Sequence, residues 1–399
     1  STQGETIADI RVHGNVLTTD DEIKRLAGIE IGAAVTPSTA DEVAARLRAA
    51  HRFQRVDVLK RFASIADPSQ IVLVIIVDEG PVKIEMTGDA GAPARVAKSR
   101  GPNLLYFPIL DAEDGYGVTY GVRLAMADRA GKQSRISFPL SWGGDKQAGA
   151  ELDKTFDAGP LSRFVAGASL SRRTNPLYDQ DDDRARVSAR GERQLTHAVR
   201  AGVDGSWQHV SFAGTGDRFA QLGADVVLDT RVDPVLPRNA VYARAAVARL
   251  DFASVGGITR TQVDARGYIG LFGQTVLAVR AMREAADGPL PPYEKLLLGG
   301  MTNLRGFRAG TAAGDTLVAG SAELLVPLTS PLHVGRIGVS AFVDEGTVYD
   351  NGQGFADQEL KRGIGGSVWF SAAFVRFSVA VAHGVGSSTR VHVGGSLMF

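Results

Sequence analysis

Arg184-Ala185-Arg186-Val187-Ser188-Ala189-Arg190-Gly191-Glu192-Arg193-Gln194 sets a polar side chain at every second position from Arg184 to Gln194, glycine and small apolar residues filling the gaps until Arg193 interrupts them. Period two is the repeat of an extended strand, whose side chains point alternately to its two faces. The alternation returns in Val199–Gln208, where Arg200, Gly202, Asp204, Ser206 and Gln208 oppose Val199, Ala201, Val203 and Trp207. It returns again with Gln221, Asp225 and Asp229 against Leu222, Ala224, Val226 and Leu228. A fourth instance sets Arg260, Gln262, Asp264 and Arg266 against Thr259, Thr261, Val263 and Ala265. A soluble β-sandwich also has a polar face, but rarely one so dense in arginine across strand after strand. Long strands with one apolar and one charged face fit a membrane barrel with a polar lumen. Lipid offers the backbone no hydrogen bonds, so such a sheet must close on itself.

Working outward, segments of this kind begin near Leu104, Tyr116, Ser134, Ala148, Ser162, Arg184, Ala198, Arg218, Val241, Thr259, Thr275, Leu317, Gly335, Gly363, Val375 and Thr389. They predict a transmembrane β-barrel of about 16 antiparallel strands, an even number as bacterial barrels have. Composition is compatible with this. Glycine is abundant at 47 of 399 residues, while lysine plus arginine balances aspartate plus glutamate at 44 each. That balance gives no argument for a nucleic-acid partner. With no cysteine, the chain has no disulfide, thiolate metal site or thiol nucleophile. No apolar run reaches the roughly 18 residues of a membrane-spanning helix. Aromatic residues make up 7% of the chain, so thin interfacial girdles are expected. Ser1 reads as the start of a processed chain.

The chain changes character near residue 85. Before it, Ile7–Val12 alternates as a half-buried strand, and Thr18-Thr19-Asp20-Asp21-Glu22 offers an N-cap with acids in the first turn, leading into Ile23 and Leu26, with Gly28 to stop the helix. Pro37–Glu42 opens a second helix through Val43 and Leu47. A strand follows at Val56 and Val58, and the β-branched run Ile71–Val77 reads as a central strand. The order is β-α-α-β-β, a small α+β domain over residues 1–85. Residues 86–102 are rich in Gly, Ala and Pro and read as a linker, leaving 103–399 for the barrel.

Two places in the barrel stand apart. Gly299-Gly300-Met301-Thr302-Asn303-Leu304-Arg305-Gly306-Phe307 lies in a wide gap between strands, a loop of about 287–314, and Phe342-Val343-Asp344-Glu345-Gly346 follows it. An arginine in a glycine-flanked loop and an aspartate on a later strand suit a charge-assisted latch that folds the loop inward. The second place is the final strand, His392-Val393-Gly394-Gly395-Ser396-Leu397-Met398-Phe399. It has a polar residue, a glycine two later, and lipid-facing Leu397 and Phe399, as a closing strand requires. Gly394-Gly395 on this edge and Pro108 on the first strand both weaken pairing, which predicts a loose seam.

These motifs resemble those of the outer-membrane superfamily that includes BamA, TamA and the two-partner-secretion transporters, also known as the bacterial surface antigen family. Leu304-Arg305-Gly306-Phe307 is similar to its (V/L)RGF lid-loop motif, and Asp344 and Gly346 match its FxDxG strand. Glu323 with Pro327 resembles its E-x-x-x-P strand, and Asp229 to Pro237 its D-x-R-x-(D/N)-P-x-x-P element. His392, Gly394, Leu397 and Phe399 fall on its C-terminal strand signal, and the first eighty-odd residues resemble one POTRA (polypeptide-transport-associated) domain. The resemblance implies an outer-membrane barrel with a single periplasmic POTRA domain, a lid loop in the lumen and a lateral seam between first and last strands. It implies outer-membrane lipids and polypeptide clients as partners, with a periplasmic or lipoprotein partner at the POTRA domain. No cofactor is implied.

Enzymatic readings find little support. The seven histidines are scattered, and Gly-x-Ser-x-Gly is absent. Gly363-Ile364-Gly365-Gly366 is a glycine cluster inside a strand rather than a phosphate loop. The acidic run Asp179–Asp183 reads as a solvated loop tip rather than a calcium site. Three functions stay open: translocation or insertion of polypeptides through the seam, a lid-gated pore for small solutes, and a scaffold that recruits a partner through the POTRA domain.

Overall fold

The computed structural model describes the chain except residues 1–4, 16, 54, 64–66, 68, 80–81, 86–94, 99–103, 232, 234–235, 330–334, 373–374 and 398–399. The N-terminal part contains β1 (Thr6–His13), α1 (Asp20–Ala27), α2 (Thr39–Ala49), β2 (Arg55–Phe62) and β3 (Gln70–Asp78), in the order expected. Its sheet runs β1-β3-β2, so the apolar β3 is the central strand. Thr19 accepts from the Glu22 N–H at the start of α1, and Gly28 ends the helix with φ of 61°. Ile23, Val43 and Leu47 from the helices pack with Ile7, Leu73 and Ile75 from the sheet into one core. Glu79, just past β3, accepts from the backbone N–H groups of Leu17 (2.5 Å) and Thr18 (2.8 Å) and so ties the sheet to the entry of α1. Lys60 is buried on β2 and donates to the Thr36 carbonyl, and burial pushes its pKa below the ordinary lysine value.

Of the expected linker at 86–102, only Arg95–Lys98 is described. It forms β5, paired with β4 (Val82–Glu85), and the remainder lies outside the described residues.

Among the described residues, sixteen strands close into an antiparallel barrel. The first seven are β6 (Leu104–Glu113), β7 (Gly117–Ala127), β8 (Ser134–Gly143), β9 (Lys146–Thr155), β10 (Arg163–Asn175), β11 (Gln180–Gln194) and β12 (Val199–Phe212). Next come β13 (Thr215–Asp229), β14 (Ala240–Phe252), β15 (Gly256–Gly270) and β16 (Val276–Ala286). The circle is completed by β19 (Thr316–Thr329), β20 (Gly335–Tyr349), β21 (Lys361–Ala372), β22 (Val375–Gly384) and β23 (Thr389–Leu397). Each pairs with its neighbour in sequence, and β23 returns to β6. The alternation works as the sequence predicts. On β13, Leu222 is 70% exposed on the outer surface whereas Asp225, on the other parity, is 5% exposed. The hydrophobic side chains that face outward are those that meet lipid.

Inside, arginines and carboxylates neutralise one another. Arg190 bonds Asp225 (2.6 Å) and Glu192 (2.7 Å), and Arg266 and Arg280 share Asp264. The acidic run is placed differently from expectation. Only Asp179 lies in a turn, while Asp181, Asp182 and Asp183 belong to β11, where Asp182 pairs with Arg184 and Asp183 with Arg172. Arg184 and Arg172 pair with Asp182 and Asp183, and Thr174 donates to Asp181, so these residues extend the β10–β11 hairpin rather than forming a loop.

Eleven strands separate the start of β6 from the long loop, so that loop leaves the end of the barrel opposite to where β6 begins. The other connections at that end span 114–116, 144–145, 176–179, 213–214, 253–255, 350–360 and 385–388. All but 350–360 are tight turns.

Candidate functional site

Residues 287–315 join β16 to β19 and carry a short two-stranded ribbon, β17 (Leu296–Leu298) with β18 (Ala312–Gly314). The base of the loop is fixed to one wall. Leu290 and Tyr293 enter an apolar cluster with Phe212, Phe219, Leu250, Phe252 and Ile258. The Tyr293 hydroxyl donates to Asp217 (2.5 Å). Glu294 receives Arg184 (2.7 Å) and Arg260 (3.2 Å) from β11 and β15. Lys295 bridges Asp315 (3.0 Å) and Asp350 (2.6 Å), and Asp315 also accepts the N–H of Leu290 and of Asn351.

The tip is fixed to a different part of the wall. Arg305 donates to Asp344 through Nε (2.7 Å) and Nη2 (2.8 Å), a two-pronged pair, and its own backbone N–H adds a third bond (3.0 Å). Nη1 reaches Glu323 (3.0 Å), whose other oxygen accepts from the Ser340 hydroxyl. The guanidinium lies 3.3 Å from the centroid of the Phe342 ring. Arg305 is 9% exposed and Asp344 2%, so each charge is compensated where little water reaches. Leu304 and Phe307, on either side of the Arg305–Gly306 pair, pack with Leu298, Leu317 and Ala319.

This close approach depends on missing side chains. A Cβ on Gly363 of β21 would meet the Arg305 carbonyl oxygen at 1.8 Å, so the loop lies directly on the strand backbone. Gly306 has φ of 92° and presses against the backbone of β22 at Gly384. Gly346 lies under Leu298 of the ribbon.

The predicted residues Leu304, Arg305, Gly306, Phe307, Glu323, Asp344 and Gly346 are therefore brought together, and His392 joins them. Its Nε2 accepts the N–H of Gly306 (2.8 Å), and its Nδ1 lies 2.6 Å from Asp114. Gly394 lies beside Met301 of the loop. The backbone of Leu397 is in β23, whereas Phe399 lies outside the described residues. Sequence reasoning missed Asp114, Tyr293 and Glu294. No local pattern marks Asp114, whose proximity to His392 appears only once the closing register is known.

That register is short. β23 meets β6 at Gly395↔Ala112 and Ser396↔Asp111 among the described residues, whereas β22 and β23 are paired from Val375↔Leu397 to His383↔Thr389. Among the described residues no group of His, Asp and Glu is arranged to hold a metal ion.

Comparison with known proteins agrees with this architecture. The model of the Omp85 superfamily domain matches residues 114–395. The fold is similar to that of BamA from Haemophilus ducreyi lacking POTRA domains 1–3, with a TM-score of 0.64 and 14% identity over 98% of this chain and 84% of that one. It is also similar to CdiB from Escherichia coli, with a TM-score of 0.54 and 13% identity over 100% and 91% of the two chains. CdiB from Acinetobacter baumannii gives a TM-score of 0.52 and 12% identity over 99% and 74%. No curated protein matches the chain in sequence.

Proposed function

From the premise that the chain belongs to the Omp85 superfamily of outer-membrane barrels that insert or secrete proteins, we propose that it passes polypeptide clients through the seam between β23 and β6. On this reading residues 1–85 are the periplasmic POTRA domain that receives clients, 103–399 are the barrel, and the 287–315 loop is a lid held in the lumen. Arg305, Asp344 and Glu323 are its latch. The single observation that carries the reading is the two-pair ladder at the seam among the described residues, set against the nine pairs between β22 and β23. A parted seam exposes two strand edges with free N–H and C=O groups, and such edges recruit another strand. The lumen offers less room for a solute path, since the loop runs from the Tyr293 anchor to the Arg305 latch and its cations are matched by carboxylates.

The test uses the absence of native cysteine. Cysteines at Ala112 and Gly395, which are opposite each other in the register, lock the seam on oxidation. In a reconstituted membrane the locked barrel should stay folded and lose insertion or secretion of client strands, with recovery on reduction. Full client activity in the locked protein would refute the lateral route.

A further inference from the structure

His392 is 1% exposed and lies on the last strand where three parts of the barrel converge. A backbone N–H can only donate, so the Gly306 bond fixes Nε2 as an acceptor and leaves the ring proton on Nδ1, directed at Asp114. One edge of the ring thus holds the loop tip, and the other holds the residue that follows β6. The loop also touches both partners directly. A Cβ on Gly300 would lie 3.1 Å from Asp114 Oδ2, and one on Gly394 would lie 3.3 Å from the Met301 side chain. The strand ladder over the same junction has two register pairs among the described residues, and this side-chain bridge adds to them.

We propose that His392 is a positioning residue that makes release of the loop and parting of the seam one event, a role that rests on reading the seam as a gate. The coupling follows from tautomer chemistry. A donor on Nε2 and an acceptor on Nδ1 select the same tautomer, so each bond strengthens the other. If Asp114 moves away, the Gly306 N–H alone must hold the proton on Nδ1, and its bond to Nε2 is weakened. If the loop withdraws, Nε2 loses its donor, and Asp114 alone must hold the tautomer it binds. Opening the seam therefore loosens the loop, and withdrawing the loop loosens the seam.

The experiment needs no client. A spin label on a cysteine at the exposed Thr302 reports loop mobility in the folded, full-length barrel. In separate samples the rate of disulfide formation between cysteines at Ala112 and Gly395 reports seam closure. Asp114→Ala should mobilise the loop label and slow the disulfide several-fold. Asp114→Asn, which keeps an acceptor oxygen for Nδ1–H, should stay near native in both. His392→Ala should match Asp114→Ala, and His392→Gln, whose amide can both accept and donate, should restore most of each signal. An immobile label in Asp114→Ala, or either signal changing without the other, would overturn the coupling, and the Asp114 pair decides the matter should the His392 variants fail to fold. A barrel that shows the coupling yet works with its seam locked would refute the gate alone.

Discussion

Arg305 is the residue on which the most contacts of the loop tip converge, and removing it leaves Asp344 a buried charge without its counter-ion. Breaking one side of a buried pair costs about 3–5 kcal/mol. Arg305→Ala should therefore free the tip while the barrel still folds. Limited proteolysis at the loop, together with heat-modifiability of the barrel, checks both halves of that expectation. Gly363→Ala tests the same contact from the strand side. Its methyl would fall 1.8 Å from the Arg305 carbonyl oxygen, and overpacking of this kind costs about 1–3 kcal/mol. The tip should be displaced with the ion pair chemically intact, so proteolysis should resemble that of Arg305→Ala. The Arg305–Asp344 pair was legible in the sequence because a charge in a glycine-flanked loop invites an opposite charge on the facing strand. The His392–Asp114 contact was not, since 278 residues separate the two and neither belongs to a local pattern that points to the other. Gly363 was read correctly as a strand glycine, but its purpose is defined by a backbone that arrives from another part of the chain.

The loop as an element has two independent anchors, and the first is apolar. Tyr293→Ala removes a ring packed near Phe212, Phe219 and Phe252 along with its bond to Asp217. Tyr293 is half-buried, so its truncation should cost less than the roughly 3–5 kcal/mol of a fully buried aromatic. The loop base should become protease-sensitive while the Arg305 pair still holds the tip, so cleavage should appear near residue 293 before it appears near 305. In the N-terminal unit the corresponding weak point is Glu79, which satisfies two backbone donors of the α1 entry. Glu79→Ala should cost about 2–3 kcal/mol and show as faster proteolysis of that unit in the full chain. Helix and strand boundaries here were open to sequence reading because Thr19, Gly28 and the β-branched Ile71–Val77 run act locally. The acidic run was misread for the opposite reason. Arg172, which pairs with Asp183, sits on the strand before it, and only the hairpin register brings the two side by side.

For the whole molecule, strand number and order were legible because every membrane strand must repeat the same period and every edge must be paired. The closing register was not, since nothing in β6 or β23 alone states how far they overlap. The seam lock described above is the prediction at this scale. A further consequence concerns recognition at the end of the barrel that the long loop leaves. Beyond the long loop, which folds back inside, the chain turns around at that end in short links, with 350–360 the one extended exception. An antibody covers roughly 800 Å² of its antigen, and turns of two to four residues cannot supply a footprint of that size. A binder of that size must therefore span several turns at once or engage the 350–360 segment, the longest of these links.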